Sequence, residues 1–363
     1  MTNKTKATSD GHSSHAILCL APNAAYQVTV LFDHIEIGQV NRAVKQTNSL
    51  GGKGQNFAVA TKEYYGTTER VTLLQIVGGA TGTQIEAMET EHGFDYITVR
   101  AAQPTRTCTT CLDAATGTMT EMVGVSGVIG RDVEAQYERI ATELLHLESG
   151  APRVLALCGT FPPGLQAAAV ARIVEARTKG RTLVFVDAVH DIHAVLATRC
   201  IDILKVNSGE ALSILDDCQC KEPPSRQVDL AAAAMALANR YAIETVAVTD
   251  GPSTAYIADK GTCYAVAIPD LVADRERFLG SSLASGTGKL TLNPLGAGDT
   301  CSAVMVNQFL DGTPIVEAFA LGLAAASASC LVLMPNCVFD RNVMHRIRDQ
   351  IKVTKCVSKS SLI

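Results

Sequence analysis

Short aliphatic runs alternate with amphipathic stretches along most of the chain. Ala16–Leu20, Val71–Val77, Val154–Leu157, Thr182–Val186, Ile203–Val206 and Thr245–Val248 are each four to seven residues long. That is too short for a helix and matches strands buried on both faces. Between them, apolar positions recur at helical spacing up to about Tyr65, from about Thr81 to His92, from Arg131 to Leu147 and from about Val228 to Tyr241. Repeated strand–helix units predict a parallel sheet covered by helices on both faces. In such sheets ligands bind beyond the carboxyl ends of the strands. Gly159, Asp187, Asn207, Thr249 and the turn around Gly296 all fall there.

A second pattern interrupts the first. Val28–Phe32, Ile35–Ile37, Ile97–Val99, Thr107–Leu112 and Thr118–Met122 alternate polar and apolar side chains, as half-exposed strands do. They predict a small antiparallel sheet, with strands within 24–50 and 96–124, projecting over a cleft as a lid. Residues 274–290, rich in serine and glycine towards their end, read as an insertion, and small-residue helices are expected at Val316–Leu333 and Asn342–Val353. Residues 1–15 are polar and lack an apolar segment, so they read as a disordered tail ahead of one domain spanning 16–363.

Composition narrows the class of function. The chain has 363 residues, 47% of them hydrophobic, and a net charge of -5 without a lysine- or arginine-rich block. Nucleic acid is therefore not an expected partner. No apolar run reaches the roughly 18–20 residues of a membrane span, so no membrane is expected either. Twelve cysteines without a secretory signal suggest reduced thiols in the cytoplasm. Cys108 and Cys111 lie three apart in a strand-like stretch, on opposite faces, which suits neither zinc nor a redox pair. Cys218 and Cys220 have no second pair nearby, and the eight histidines form no ligand pair at helical spacing.

Two glycine turns carry the candidate chemistry. In Asn293-Pro-Leu-Gly-Ala-Gly-Asp-Thr300, Gly296 and Gly298 precede a small-residue, buried helix. Unpaired amides and the positive helix end gather at such a turn and favour a phosphate or oxyanion. Asp299 in the first turn could accept a proton from a substrate hydroxyl, although a plain turn capped by Asp299 reads equally well on this stretch alone. Leu50-Gly-Gly-Lys-Gly-Gln-Asn56 opens another helix, and Lys53 and Asn56 offer a cation and an amide to a polar or anionic ligand. Arg106 in the lid could fork onto a phosphate or be a surface arginine.

Taken jointly, these residues resemble the ribokinase-like, PfkB family of carbohydrate kinases, and the resemblance covers nearly the whole chain from about Ala16. It implies a three-layer α/β/α sandwich with a central, mostly parallel sheet and a small β-sheet lid. By resemblance Asp299 is the catalytic base, and Gly296, Ala297 and Gly298 supply the anion hole. Gly52, Lys53 and Asn56 then belong to the substrate signature. Lys205-Val-Asn-Ser-Gly-Glu210 is similar to the KxNxxE element, which sets Lys205 and Asn207 by the nucleotide and Asn207 and Glu210 near magnesium, indirectly. Thr249 and Gly251 match the turn that meets the nucleotide phosphates.

Within the family, Pro22-Asn23 resembles the TxNPAxD element, Arg106 the TR segment of the lid, and Gly159–Gly164 the SGSLPPG loop of the phosphofructokinase and tagatose-6-phosphate kinase subgroup. The resemblance implies ATP and Mg²⁺, a hexose phosphate acceptor (fructose 6-phosphate, fructose 1-phosphate or tagatose 6-phosphate) held by Lys53 and Arg106, and a homodimer formed through the lid. The chain departs from the pattern at Gln27, where the subgroup has a sugar-binding Asp, and at Ala24, Thr254 and Val304. Two other readings stay open: a kinase of an unphosphorylated sugar or nucleoside, and a non-catalytic sugar-phosphate regulator with the same fold.

Overall fold

The computed structural model describes residues 16–188, 192–216, 229–279 and 292–356. The N-terminal tail, Cys218 and Cys220, and all of the 274–290 insertion beyond Leu279 lie outside the described residues.

The aliphatic runs become strands: β1 (Ile17–Ala21), β4 (Val71–Gly78), β8 (Val154–Cys158), β9 (Leu183–Asp187), β10 (Ile203–Asn207) and β11 (Thr245–Thr249). With β5 (Asp95–Ala101), β12 (Ala255–Asp259), β13 (Thr262–Ala267) and β14 (Lys352–Lys355) they make a ten-stranded sheet in the order β14-β13-β12-β11-β10-β9-β8-β1-β4-β5. Every pair from β11 to β5 is parallel. The β12–β14 extension is antiparallel. A second sheet holds β2 (Ala25–Phe32), β3 (Lys45–Gly51), β6 (Thr107–Asp113) and β7 (Thr118–Val123) in the order β3-β2-β6-β7.

Helices cover both faces of the large sheet. In chain order they are α1 (Lys53–Tyr65), α2 (Gly79–His92), α3 (Arg131–Leu145), α4 (Ala167–Glu175), α5 (His193–Ala197), α6 (Ser208–Leu215), α7 (Leu230–Tyr241), α8 (Arg275–Leu279), α9 (Ala297–Leu310), α10 (Ile315–Cys330) and α11 (Arg341–Arg348). Period-two alternation along β1 feeds two cores: Ile17, Cys19 and Ala21 enter one, Leu18 and Leu20 the other. The first core gathers α1, α9 and α10, and the second gathers α3, α4 and α7. Helix α9 is buried nearly all round, which explains its lack of an amphipathic stripe. It packs closely on α10, where a Cβ on Gly322 would lie 2.5 Å from the Cys301 carbonyl.

Four sequence expectations are corrected. Ile35–Ile37 is a turn rather than a strand, with Ile37 91% exposed. Side chains take over its backbone: Asp113 of β6 accepts from the Ile35 amide and the nearby Asn41 from the Glu36 amide, so no ladder is needed. The Ile97–Val99 run belongs to β5, parallel to β4 in the large sheet, and not to the lid. An edge strand exposed on one face alternates like a lid strand, so the pattern could not separate the two. Inside the lid, β2 pairs with β6 in parallel, whereas an antiparallel sheet was expected. The last helix ends at Arg348, and the chain continues into β14, whose four residues are all exposed. Among the described residues no helix is long and apolar enough to cross a membrane.

Candidate active site

Chain direction fixes where the polar side chains collect. Strands β9, β10 and β11 end side by side at Asp187, Asn207 and Thr249. The glycine turns deliver the N-termini of α1 and α9 to the same edge. Asp187 is 2% exposed and holds three donors. Lys53 Nζ donates to its Oδ1 at 2.7 Å, and Lys205 Nζ and the Ser302 hydroxyl donate to Oδ2 at 3.0 and 2.6 Å. Burial by itself would raise the Asp187 carboxyl, but the two ammonium groups outweigh it and hold Asp187 well below the usual carboxylate range. Burial likewise works against charge on Lys53, and Asp187, Asp299 and Glu210 more than reverse it, so Lys53 stays protonated.

Asp299 sits beside this network with far fewer donors. Asn56 Nδ2 donates to Asp299 Oδ2 at 2.7 Å, and Asn336 Nδ2 in turn donates to Asn56 Oδ1 at 2.7 Å. Among the described residues, Asp299 Oδ1 makes no hydrogen bond, and the amides of Gly298 and Asp299 also have no acceptor. Burial first, and then the negative charge of Asp187, push Asp299 up to about 6, against the opposing pull of Lys53, Asn56 and Lys205. Gly296 makes the turn with φ +74°, and a Cβ there would lie 2.3 Å from Cys337 Sγ. Both the backbone angle and the space behind it require glycine.

On the neighbouring strand ends, Asn207 and Glu210 close a capping box on α6: Asn207 Oδ1 accepts the Glu210 amide and Glu210 Oε2 the Asn207 amide. Glu210 Oε1 points instead towards Lys53 Nζ, 3.6 Å away. Ser208 donates to Asp250 at 2.6 Å and ties the β10 turn to the β11 turn. A Cβ on Gly251 would meet nothing within 4 Å, so the Thr249–Gly251 turn borders open space. No cluster of three metal-ligating side chains exists among the described residues. The donor set therefore fits Mg²⁺ only as a hydrated ion approached by Glu210 Oε1, and Mg²⁺ characteristically keeps several waters.

The lid side forms a second cluster. Asn23 donates to Thr160 Oγ1 at 2.8 Å and accepts from Ser126 at 3.0 Å, while Arg106 Nη2 donates to the Asn23 carbonyl at 3.2 Å. Arg106 Nε is buried without a partner among the described residues. It borders a small cleft formed with Asn23, Ala24, Gly78, Pro104 and Pro162. Gln27 is 3% exposed and donates to Thr110 Oγ1 at 3.0 Å between β2 and β6. Gly52, φ +100°, packs against the Asn23 and Ala24 backbone.

Thus Lys53, Asn56, Lys205, Glu210 and Asp299 come together with the Gly296–Gly298 turn. Asn23 and Arg106 gather under the lid, and Gln27 stays inside it. Lys53 and Arg106, expected to share one phosphate, engage different partners. In the sequence Asp187 is marked only as the end of a buried strand, and a carboxylate in that place is the one signal of its role. Ser302 looked like one more small residue of a buried helix. Asn336 follows a proline in a segment without periodicity, so nothing in the sequence marked it.

Comparison with known proteins supplies the family. A sequence profile described as pfkB family carbohydrate kinase matches residues 24–274. The ATP-dependent 6-phosphofructokinase isozyme 2 of Escherichia coli (strain K12) is 26% identical over 282 residues, 77% of this chain and 81% of that protein. Phosphofructokinase-2 from Escherichia coli, solved in complex with substrates and products, superposes with a TM-score of 0.74 at 23% identity over 92% of this chain and 98% of its own. A possible 1-phosphofructokinase from Thermotoga maritima reaches 0.73 at 17% identity, covering 94% of this chain and 99% of its own. The architecture is the ribokinase-like α/β fold, and the chain belongs to the pfkB family of carbohydrate kinases.

Proposed function

We propose that residues 16–363 form an ATP-dependent, phosphofructokinase-like kinase that phosphorylates a free hydroxyl of a hexose phosphate. One observation carries the reading: among the described residues, Asp299 offers an unbonded carboxylate oxygen beside the unpaired amides of Gly298 and Asp299 at the start of α9. A base and an anion cradle at adjacent positions are what phosphoryl transfer to an alcohol needs. The name of the Escherichia coli relative supplies the substrate class, a 6-phosphofructokinase that uses ATP. Arg106, with a buried, unmet donor in its cleft, supports an anionic group on the acceptor.

Bound ATP–Mg²⁺ supplies the phosphoryl group and neutralises its developing charge, with the metal approached by Glu210. Asn56, fixed by Asn336, orients Asp299. Asp299 takes the hydroxyl proton on Oδ1 as the sugar oxygen bonds to the γ-phosphorus and the bond to ADP breaks. The Gly298 and Asp299 amides hold the transferring oxygens, and Lys53 and Lys205 keep the floor of the site positive. Gln27 Nε2 is taken up by Thr110 Oγ1 and the Val28 carbonyl, so it donates to a sugar by leaving them. The lid exposes Ile37, Val40, Met122 and Val125, which suits a homodimer formed through it; an inhibited form of Escherichia coli phosphofructokinase-2 is described as tetrameric.

The test is ATP consumption measured over fructose 6-phosphate, fructose 1-phosphate, tagatose 6-phosphate, ribose and adenosine. Turnover with one of the phosphorylated sugars is expected. Turnover confined to ribose or adenosine would overturn the substrate class, and no turnover with any acceptor would overturn the kinase reading.

A further inference from the structure

The chain's twelve cysteines take no part in the chemistry above. Among them, Cys19 lies near enough to Cys158, and Cys356 to Cys263, for one thiol to push the other's pKa up. The pairs differ in reach. Cys19 and Cys158 are 0% and 3% exposed inside the large sheet. Cys263 is nearly buried on β13, but Cys356 is partly exposed just past β14, the outermost strand, which is itself exposed along its length.

The ladder fixes the second pair's geometry. Tyr264 pairs with Lys355 in the antiparallel register, which sets Cys263 directly opposite Cys356, and the Cys356 amide donates to the Cys263 carbonyl at 2.9 Å. That bond marks a hydrogen-bonded pair, whose Cα atoms are about 5.5 Å apart and whose side chains project from the same face. The separation lies inside the roughly 4.4–6.8 Å that a disulfide spans. The register therefore faces the two cysteines across one rung of the ladder at a Cα separation a disulfide can span, and closing the bond draws their Cβ atoms together by roughly 1 Å. Around them are the Ala231 carbonyl at the start of α7, 3.9 Å from Cys263 Sγ, and the Asp229 carboxylate.

We propose that Cys263 and Cys356 are a reversible oxidation site, closed by a hydroperoxide into a cross-strand disulfide that fastens the C-terminal strand to the sheet. The accessible Cys356 thiolate attacks the terminal peroxide oxygen: an S–O bond forms, the O–O bond breaks, and hydroxide leaves from hydrogen peroxide, or the alkoxide from an organic hydroperoxide. Cys263 sulfur then attacks the Cys356 sulfenic acid, forming the S–S bond and releasing water that carries the Cys263 proton. Two thiols are oxidised by two electrons and one peroxide is reduced. Burial, reinforced by Cys356, keeps Cys263 a thiol until that second step. The closed bond clamps β14 and with it the end of α11, whose Arg346 holds the Phe278 carbonyl of α8 at 2.6 and 3.1 Å.

The experiment uses the full-length, reduced protein treated with hydrogen peroxide, alkylated, digested without reductant and mapped by mass spectrometry. The expected product is one linked peptide joining Cys263 to Cys356, lighter by two hydrogens and undone by dithiothreitol. Amide exchange across Lys352–Lys355 should slow at least about tenfold in the oxidised protein. Cys356→Ser and Cys263→Ser should each abolish both signals. Sulfinate on Cys356 without a cross-link, or a link joining Cys19 to Cys158 in preference, would overturn the site. A link that leaves β14 exchange unchanged would overturn the clamp. These readouts do not depend on kinase activity, and the wild-type map stands even if a variant folds poorly.

Discussion

Asp187 and Asp299 sit at one edge of one sheet, 2% and 7% exposed, and end up with opposite properties. Burial disfavours charge on both. Asp187 meets two ammonium groups and a hydroxyl, so it stays ionised and anchors the lysines. Asp299 meets one amide and the charge of Asp187, and is pushed up to about 6. The lesson is that donors, rather than depth, sort a structural carboxylate from a reactive one. Asp187 belongs to the floor, and Asp299 is left with an oxygen to use.

Breaking the floor should give the largest effect. Asp187→Asn leaves Lys205, 3% exposed, without its counter-charge. Stability by chemical denaturation is expected to fall by about 3–5 kcal/mol. Asp299→Asn should move stability the other way. A folded pKa raised above the unfolded value means that the ionised form is penalised near neutrality and relieved as pH falls from about 6 towards the unfolded value near 4. Removing that charge is therefore expected to stabilise the fold at pH 7 by on the order of 1–3 kcal/mol. Asp187 has the reverse sign: its depressed pKa stabilises above the ordinary carboxylate range, and that contribution is lost as pH falls through its folded value. If both substitutions destabilise equally, the contrast between the two carboxylates is wrong.

Two smaller changes sharpen it. Arg106→Ala should raise KM for the sugar phosphate about tenfold, the worth of a charge-assisted contact, and leave KM for ATP nearly unchanged. An equal rise in both would remove Arg106 from the acceptor side. Ser302→Ala removes one donor from Asp187. It should cost about 1 kcal/mol at pH 7 and move acid unfolding to higher pH.

The same contrast governs what the sequence could reveal. The strands of the parallel body announce themselves as aliphatic runs because both faces are buried, and the Gly296–Asp299 and Gly52–Asn56 turns stand out because each sets closely spaced glycines and polar side chains directly at the start of a helix. Pairing partners leave no such trace. That β9 lies beside β10, bringing Lys205 to Asp187, is a fact of topology, and so is the approach of Asn336 to Asn56 across 280 positions of chain. The β12–β14 extension went unread because Tyr256, Tyr264 and the exposed Lys352–Lys355 strand lack the aliphatic density of the interior. Edge strands carry weak patterns since one of their faces is free to be polar.

The most direct test of the central claim is single-turnover phosphoryl transfer by Asp299→Asn with the preferred sugar phosphate and ATP–Mg²⁺, alongside equilibrium binding of each. If Asp299 is the base, turnover drops about a hundredfold or more while both ligands still bind. Turnover near that of the wild type would contradict it.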